Sequence, residues 1–162
     1  MKRYQKNVAI ALAAVGLLTS LAHAQLHTPA ITSGPINAVD VDTFRFQGSK
    51  QKIRIHGFDG PGKHDRNQPD SVKRYADAAT AYFVKVTASG LTCGKIINKS
   101  YDRVVRKCWI TGTGQDVAEL IVLNGYGVDS PKFSKGEYAD EEAKARAARR
   151  GLWQTEHESW IK

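Results

Sequence analysis

The sequence predicts a small mixed α+β domain built around a five-stranded β-barrel. Three observations lead there. The elements read in the order three strands, helix, two strands, two helices, which suits a small barrel carrying helices at its ends. Once an N-terminal leader is set aside, 138 residues remain, enough for one domain with one core. The two cysteines fall within the two later strands, where strand pairing would bring them across from each other.

The chain opens with Lys2, Arg3 and Lys6, continues through an apolar run over residues 8–21, and reaches the small-residue pattern Ala22-His23-Ala24. That is the layout of a secretory signal peptide over residues 1–24, with cleavage expected after Ala24. The apolar run is short for a membrane span and no second one follows, although an uncleaved N-terminal anchor is the alternative. Export to the periplasm or medium is therefore expected. Removing three basic residues and no acidic one lowers the formal net charge from +8 to +5. A basic exported domain attracts polyanions, such as nucleic acid, acidic polysaccharide or anionic lipid. Positive charge that only maintains solubility is the plainer reading.

Residues 25–35, with Pro29, Gly34 and Pro35 among small polar residues, read as an irregular lead-in. From residue 36 onward Val39, Val41, Phe44, Phe46, Ile53 and Ile55 suit strands, with Gly48-Ser49 as the turn between the second and third. Residues 60–69 read as an exposed loop. A helix follows, capped by Asp70 or Ser71 and ended by Gly90, because Val72, Tyr75, Ala79, Phe83 and Val86 recur every three or four residues. Two further strands, over residues 91–97 and 104–110, bracket a polar turn at 98–100. Helices are expected over 116–124, stopped by Gly125, and over 138–150, stopped by Gly151. Leu152 and Trp153 would then pack back on the core, and residues 154–162 form a tail.

Cys93 and Cys108 are the only cysteines. In an exported chain such a pair is expected to form a disulfide rather than a metal site, because the compartment oxidises thiols and no other soft ligand clusters nearby. Closing so short a loop stabilises by about 3 kcal/mol in the chain-entropy model.

Chemistry concentrates between residues 39 and 61. Strand pairing there would bring Asp42, Arg54 and Asp59 to one end of the sheet, placing two carboxylates and a guanidinium within mutual reach as a cation and phosphate site. Each residue also has a plainer reading. Asp40 or Asp42 could end a strand by bonding a neighbouring amide. Arg54 could be half of a structural ion pair with Asp59, and Arg103 ordinary surface charge. His27, His56, His64 and His157 show no metal-ligand spacing. The sequon Asn98-Lys99-Ser100 is too short a motif to carry weight.

Five motifs in order resemble the thermonuclease, or staphylococcal nuclease-like, family. They are D-x-D-T at 40–43; I-R-I-x-G-x-D-x-P at 53–61; Tyr101-Asp102-Arg103-Val104-Val105; Asp116-Val117 with Leu120, Ile121, Val122 and Gly125; and Glu142, Ala145, Arg146, Arg150, Gly151, Leu152 and Trp153. The likeness covers residues 36–153. It implies an OB-fold barrel bearing a Ca2+-dependent phosphodiesterase site for DNA and RNA, in a monomer whose partner is nucleic acid. Carried over by position, Asp42 and Asp59 would ligate Ca2+ with help from the Gly60 carbonyl, which suits a hard cation. Arg54 and Arg103 would grip the phosphate and stabilise charge growing on it. Tyr101 would lie beside the nucleotide.

The departures gather at the site. The family's D-x-P is followed by a glutamate that resembles a general base, and here that position is Gly62. Asp65 or His64 in the same loop is a possible substitute. Val41 replaces a glycine between the aspartates, and Asp102 replaces a glycine before Arg103, where it could pair with that arginine or repel phosphate. Near residues 129–131 the family offers a stacking aromatic, whose place Phe133 or Tyr138 would have to take. Two readings follow: a nuclease left slow or impaired by Gly62, or a catalytically inactive OB-fold module that binds nucleic acid, an acidic glycan or a protein partner.

Overall fold

A computed structural model describes residues 32–62 and 70–154. The signal peptide, most of the lead-in, the loop residues Asp65 and His64, and the tail beyond Gln154 lie outside the described residues.

The barrel is built from β1 (Thr32–Gly34), β2 (Ile36–Ala38), β3 (Thr43–Phe46), β4 (Lys52–Ile55), β6 (Leu91–Ser100) and β7 (Arg103–Ile110). Its sheet runs in the order β1-β6-β7-β4-β3-β2. The two edge strands are successive stretches of one segment, broken only at Pro35, which has no N–H to give a ladder. Its carbonyl still accepts from the Gln47 amide at 3.0 Å. Before the break this segment pairs with β6, Thr32 against Cys93; after it, with β3, Ile36 against Phe46. The sheet thus curls round onto one bent strand, giving the five strand paths of an OB-fold barrel.

Inward positions alternate as a closed sheet requires: Phe44 and Phe46 on β3, Ile53 and Ile55 on β4, Val104, Arg106, Cys108 and Ile110 on β7. Cys93 and Cys108 face each other in the β6–β7 register and are joined by a disulfide, as expected. Just before β6, Gly90 is held against the bent segment. Its φ is +89° and an added Cβ would lie 2.5 Å from the Gly34 carbonyl oxygen, so only glycine fits.

The helices close the barrel. Helix α1 (Asp70–Val86) buries Val72, Ala76, Ala79 and Phe83, and Phe83 packs on Phe44. Helix α2 (Val117–Leu123) is capped by Asp116, whose carboxylate accepts from the Ala118 amide at 2.8 Å. Helix α4 (Ala139–Ala147) docks on α2 through buried Ala145, and buried Leu152 follows in the closing turn. No helix among the described residues is long and apolar enough to cross a membrane.

Several local expectations are corrected. The lead-in ends in a strand, β1. Val39 and Val41, which alternate like strand residues, lie in a bend where the Val39 and Asp40 amides both donate to the Thr43 carbonyl. The reversal placed at 98–100 occurs at Tyr101 and Asp102 instead, with Tyr101 at φ 56°, because the ladder runs on to Ser100 opposite Arg103 through two bulges. The last main helix is shorter than 138–150. A fourth, short helix α3 (Pro131–Ser134) and a ribbon pairing β5 (Phe58–Asp59) with β8 (Val128–Asp129) were not expected.

Candidate cation and phosphate site

The site forms where β3, β4 and β5 end. In the β3–β4 ladder Thr43 stands opposite Arg54, and the Ile55 amide donates to the Asp42 carbonyl at 2.8 Å, fixing Asp42 beside the strand. Because Ile53 and Ile55 point inward, Arg54 points out. Directly after the Gly57 turn, Phe58 fills the core and Asp59 turns out beside that guanidinium.

Arg54 lies between the two carboxylates. Its Nη1 donates to Asp42 Oδ2, and its Nη2 to Asp59 Oδ1 and, at 3.3 Å, to the Phe58 carbonyl. On β7, Arg103 Nη1 donates to Thr43 Oγ1 at 3.1 Å and lies 3.9 Å from Asp42 Oδ1, while Nη2 reaches Ser100 Oγ at 3.3 Å. Thr43 Oγ1 donates in turn to Asp42 Oδ1 at 2.6 Å. At the far side Ser130 Oγ donates to Asp59 Oδ2 at 2.7 Å. One connected chain therefore runs from Arg103 through Thr43, Asp42, Arg54 and Asp59 to Ser130.

The two carboxylates sit in different surroundings. The Asp42 side chain is 8% exposed and that of Asp59 48%. Burial raises the Asp42 carboxyl to about 6; Arg54 opposes that shift, and the neighbouring Asp40 adds to it. A buried carboxylate whose proton is retained into the weakly acidic range is held charged at neutral pH chiefly by its guanidinium partner.

Of the residues named from sequence, Asp42, Arg54, Asp59 and Arg103 come together. Gly60 follows Asp59 directly. A Cβ there would lie 2.1 Å from Val41 Cγ1, so the buried Val41 occupies the room a side chain would need. Val41 itself has no positive φ, so this bend does not need a glycine between the aspartates. Tyr101 is apart from the group, 97% exposed at the β6–β7 turn. It borders a small recess of about 230 Å³ shared with Lys52, Asp40 and Arg103. Asp102 pairs with Lys52 at 2.7 Å rather than with Arg103.

Gly62 has no positive φ, and a Cβ there would meet no atom within 4 Å, so it opens on free space. Of the two candidate aromatics, Tyr138 is buried and donates its hydroxyl to Asp116 Oδ2 at 3.0 Å, which removes it from any surface role. Phe133 on α3 is 53% exposed. It lines a cleft of about 510 Å³ together with Arg54, Arg103, His56 and Ile97, and on its other side a larger one of about 840 Å³ reaching Asp59 and Ser130. Thr43 and Ser130 were missed as partners of the carboxylates. Thr43 was visible as the last residue of D-x-D-T; Ser130 had no local signal.

Whether a hard cation suits this site can be judged from its donors. Asp42, Asp59, the Thr43 hydroxyl and the Gly60 carbonyl are all oxygen, the ligand type Ca2+ takes, and both carboxylates already reach one shared cationic group. Among the described residues no three His, Cys, Asp or Glu side chains gather into a metal-holding group. The donor type suits a hard dication, and the donors present are fewer than the roughly six to eight oxygens it usually takes.

A family model described as "Staphylococcal nuclease homologue" matches residues 52–155, well over half of the chain. The match includes Arg54, Asp59 and Arg103 and begins after Asp42. No curated protein matches the chain.

Proposed function

Because the chain belongs to the staphylococcal nuclease family, we propose that it is an exported, Ca2+-dependent phosphodiesterase of DNA and RNA whose turnover is slow. The observation that carries this reading is the convergence of Asp42, Asp59, Arg54 and Arg103 at one end of the barrel, beside a cleft able to take a nucleotide. Asp42, Asp59 and the Gly60 carbonyl would hold the cation, which when bound supplies charge to polarise a phosphoryl oxygen. Arg103 and Arg54 offer N–H donors to phosphate oxygens, and their charge opposes the charge that grows during displacement. Phe133 gives a base a ring to lie on. The net charge of +5 after leader removal draws polyanions toward the cleft. Export is supported by the leader pattern and by a disulfide that needs an oxidising compartment.

The slow turnover follows from Gly62. A general base typically contributes about 10² to 10⁴ in rate, and a glycine cannot take a proton. The same position favours a second reading, an inactive module that retains nucleic-acid binding. Incubating the chain without its leader with single-stranded DNA and Ca2+, with and without chelator, beside a Gly62→Glu variant, separates them. Chelator-sensitive cleavage by the natural chain sinks the inactive reading. Cutting by the variant alone means that the scaffold is competent and lacks only the base. Silence from both, with no Ca2+ binding by calorimetry, sinks the nuclease reading.

A further inference from the structure

Ser130 begins α3 at the position where a serine hydroxyl ordinarily accepts from a backbone amide of the first helical turn. Here it makes no such bond. The hydroxyl is directed across to β5, where it donates to Asp59 Oδ2 at 2.7 Å. Its own support is rigid. Ser130 is buried, its amide donates to the Gly57 carbonyl at 3.0 Å, and its carbonyl accepts from the Phe133 and Ser134 amides at 2.8 and 2.9 Å. Asp59, by contrast, is half exposed on a two-residue strand, and among the described residues its other oxygen is held by Arg54.

We propose that Ser130 is the positioning residue of Asp59, keeping that carboxylate aimed at the cation when Arg54 leaves it for a phosphate. This rests on the function proposed above. The chemistry is that of an outer-shell hydrogen bond, which fixes the orientation of a ligating carboxylate and commonly changes metal affinity 10- to 100-fold when removed. The hydroxyl occupies the stretch, near residues 129–131, where the family likeness implies a stacking aromatic. This chain thus has a carboxylate anchor there and carries an exposed aromatic three residues later, at Phe133.

The test uses Ca2+ alone, titrated by calorimetry into the natural chain and into Ser130→Ala, Ser130→Thr and Ser130→Val, with the melting temperature of each taken without Ca2+. The expected result is that Ser130→Ala weakens Ca2+ binding by about tenfold or more, with little change in melting temperature, and that Ser130→Thr restores it. Thr and Val differ by the hydroxyl alone at nearly equal volume, so their comparison holds even if Ala disturbs folding. Equal Ca2+ affinity in Ser130→Thr and Ser130→Val overturns the assignment, as does a loss of affinity that only follows a loss of stability. Absence of Ca2+ binding by the natural chain is a different failure: it removes the metal site itself and this inference with it.

Discussion

Asp42 and Arg54 form a largely buried ion pair at the mouth of the barrel, set by a register that places Thr43 directly opposite Arg54. Arg54 is at once the main charge partner of Asp42 and a partner of Asp59, so one substitution tests the whole arrangement. Arg54→Gln is expected to lower stability by about 3 kcal/mol, since it leaves a buried carboxylate without its partner. It should also raise the Asp42 pKa further, above about 6. Chemical denaturation and an NMR titration of the Asp42 carboxyl check both; an unmoved titration would mean the pair does not exist in solution.

Cation binding should depend on pH through Asp42. Its carboxyl is raised in the folded chain from the ordinary aspartate value near 3.8 to about 6, chiefly by burial. A raised acid binds its proton more tightly folded than unfolded, so it contributes stability that is fully present below 3.8 and is lost as pH rises through about 6. Ca2+ needs the deprotonated form and moves the opposite way. Calorimetry at pH 7 and pH 5 should show binding weakened by roughly tenfold at the lower pH, the ratio that one competing proton imposes one unit below its pKa. A flat profile would exclude Asp42 as a ligand.

Phe133 and Tyr138 are predicted to separate cleanly. Phe133→Ala should weaken binding of a short single-stranded oligonucleotide by about 1 to 3 kcal/mol, the range of a base stacked on an aromatic ring, without changing the fold. Tyr138→Phe removes a hydroxyl bonded to Asp116 and should lower stability by about 1 kcal/mol while leaving oligonucleotide affinity unchanged. The opposite pattern in fluorescence binding and thermal melts would place the base elsewhere.

Reducing the Cys93–Cys108 bond releases a constraint worth about 3 kcal/mol in the chain-entropy model. The melting temperature should fall by roughly 10 °C at this chain size. A melt unaffected by reductant would show that the bond is not formed in solution.

The parts of this design that were legible in the sequence share a physical cause. Asp42, Arg54 and Asp59 could be placed together because alternation on β4 puts Arg54 outward between two inward isoleucines, and because a glycine turn follows at once. The disulfide was legible from strand pairing and from the export that the leader pattern leads one to expect. What escaped depends on contacts distant in the chain. β5 and β8 have two residues each and no periodicity, so only their pairing defines them, and Ser130 gains its role solely through that pairing. Val41 mimicked a strand residue because it is apolar and buried, yet what it fills is the space beside Gly60. The polar run at 98–100 resembled a turn because the later part of β6 is exposed along its length.

The strand bent at Pro35 has a consequence for solubility. Among the described residues it is the partner of β6 on one side and of β3 on the other, so its loss would uncover two sheet edges together, each a row of unpaired amides and carbonyls open to another chain. A chain lacking residues 32–38 is expected to self-associate, and analytical ultracentrifugation would report it as species larger than a monomer. The few residues that close the barrel thereby also guard it against aggregation.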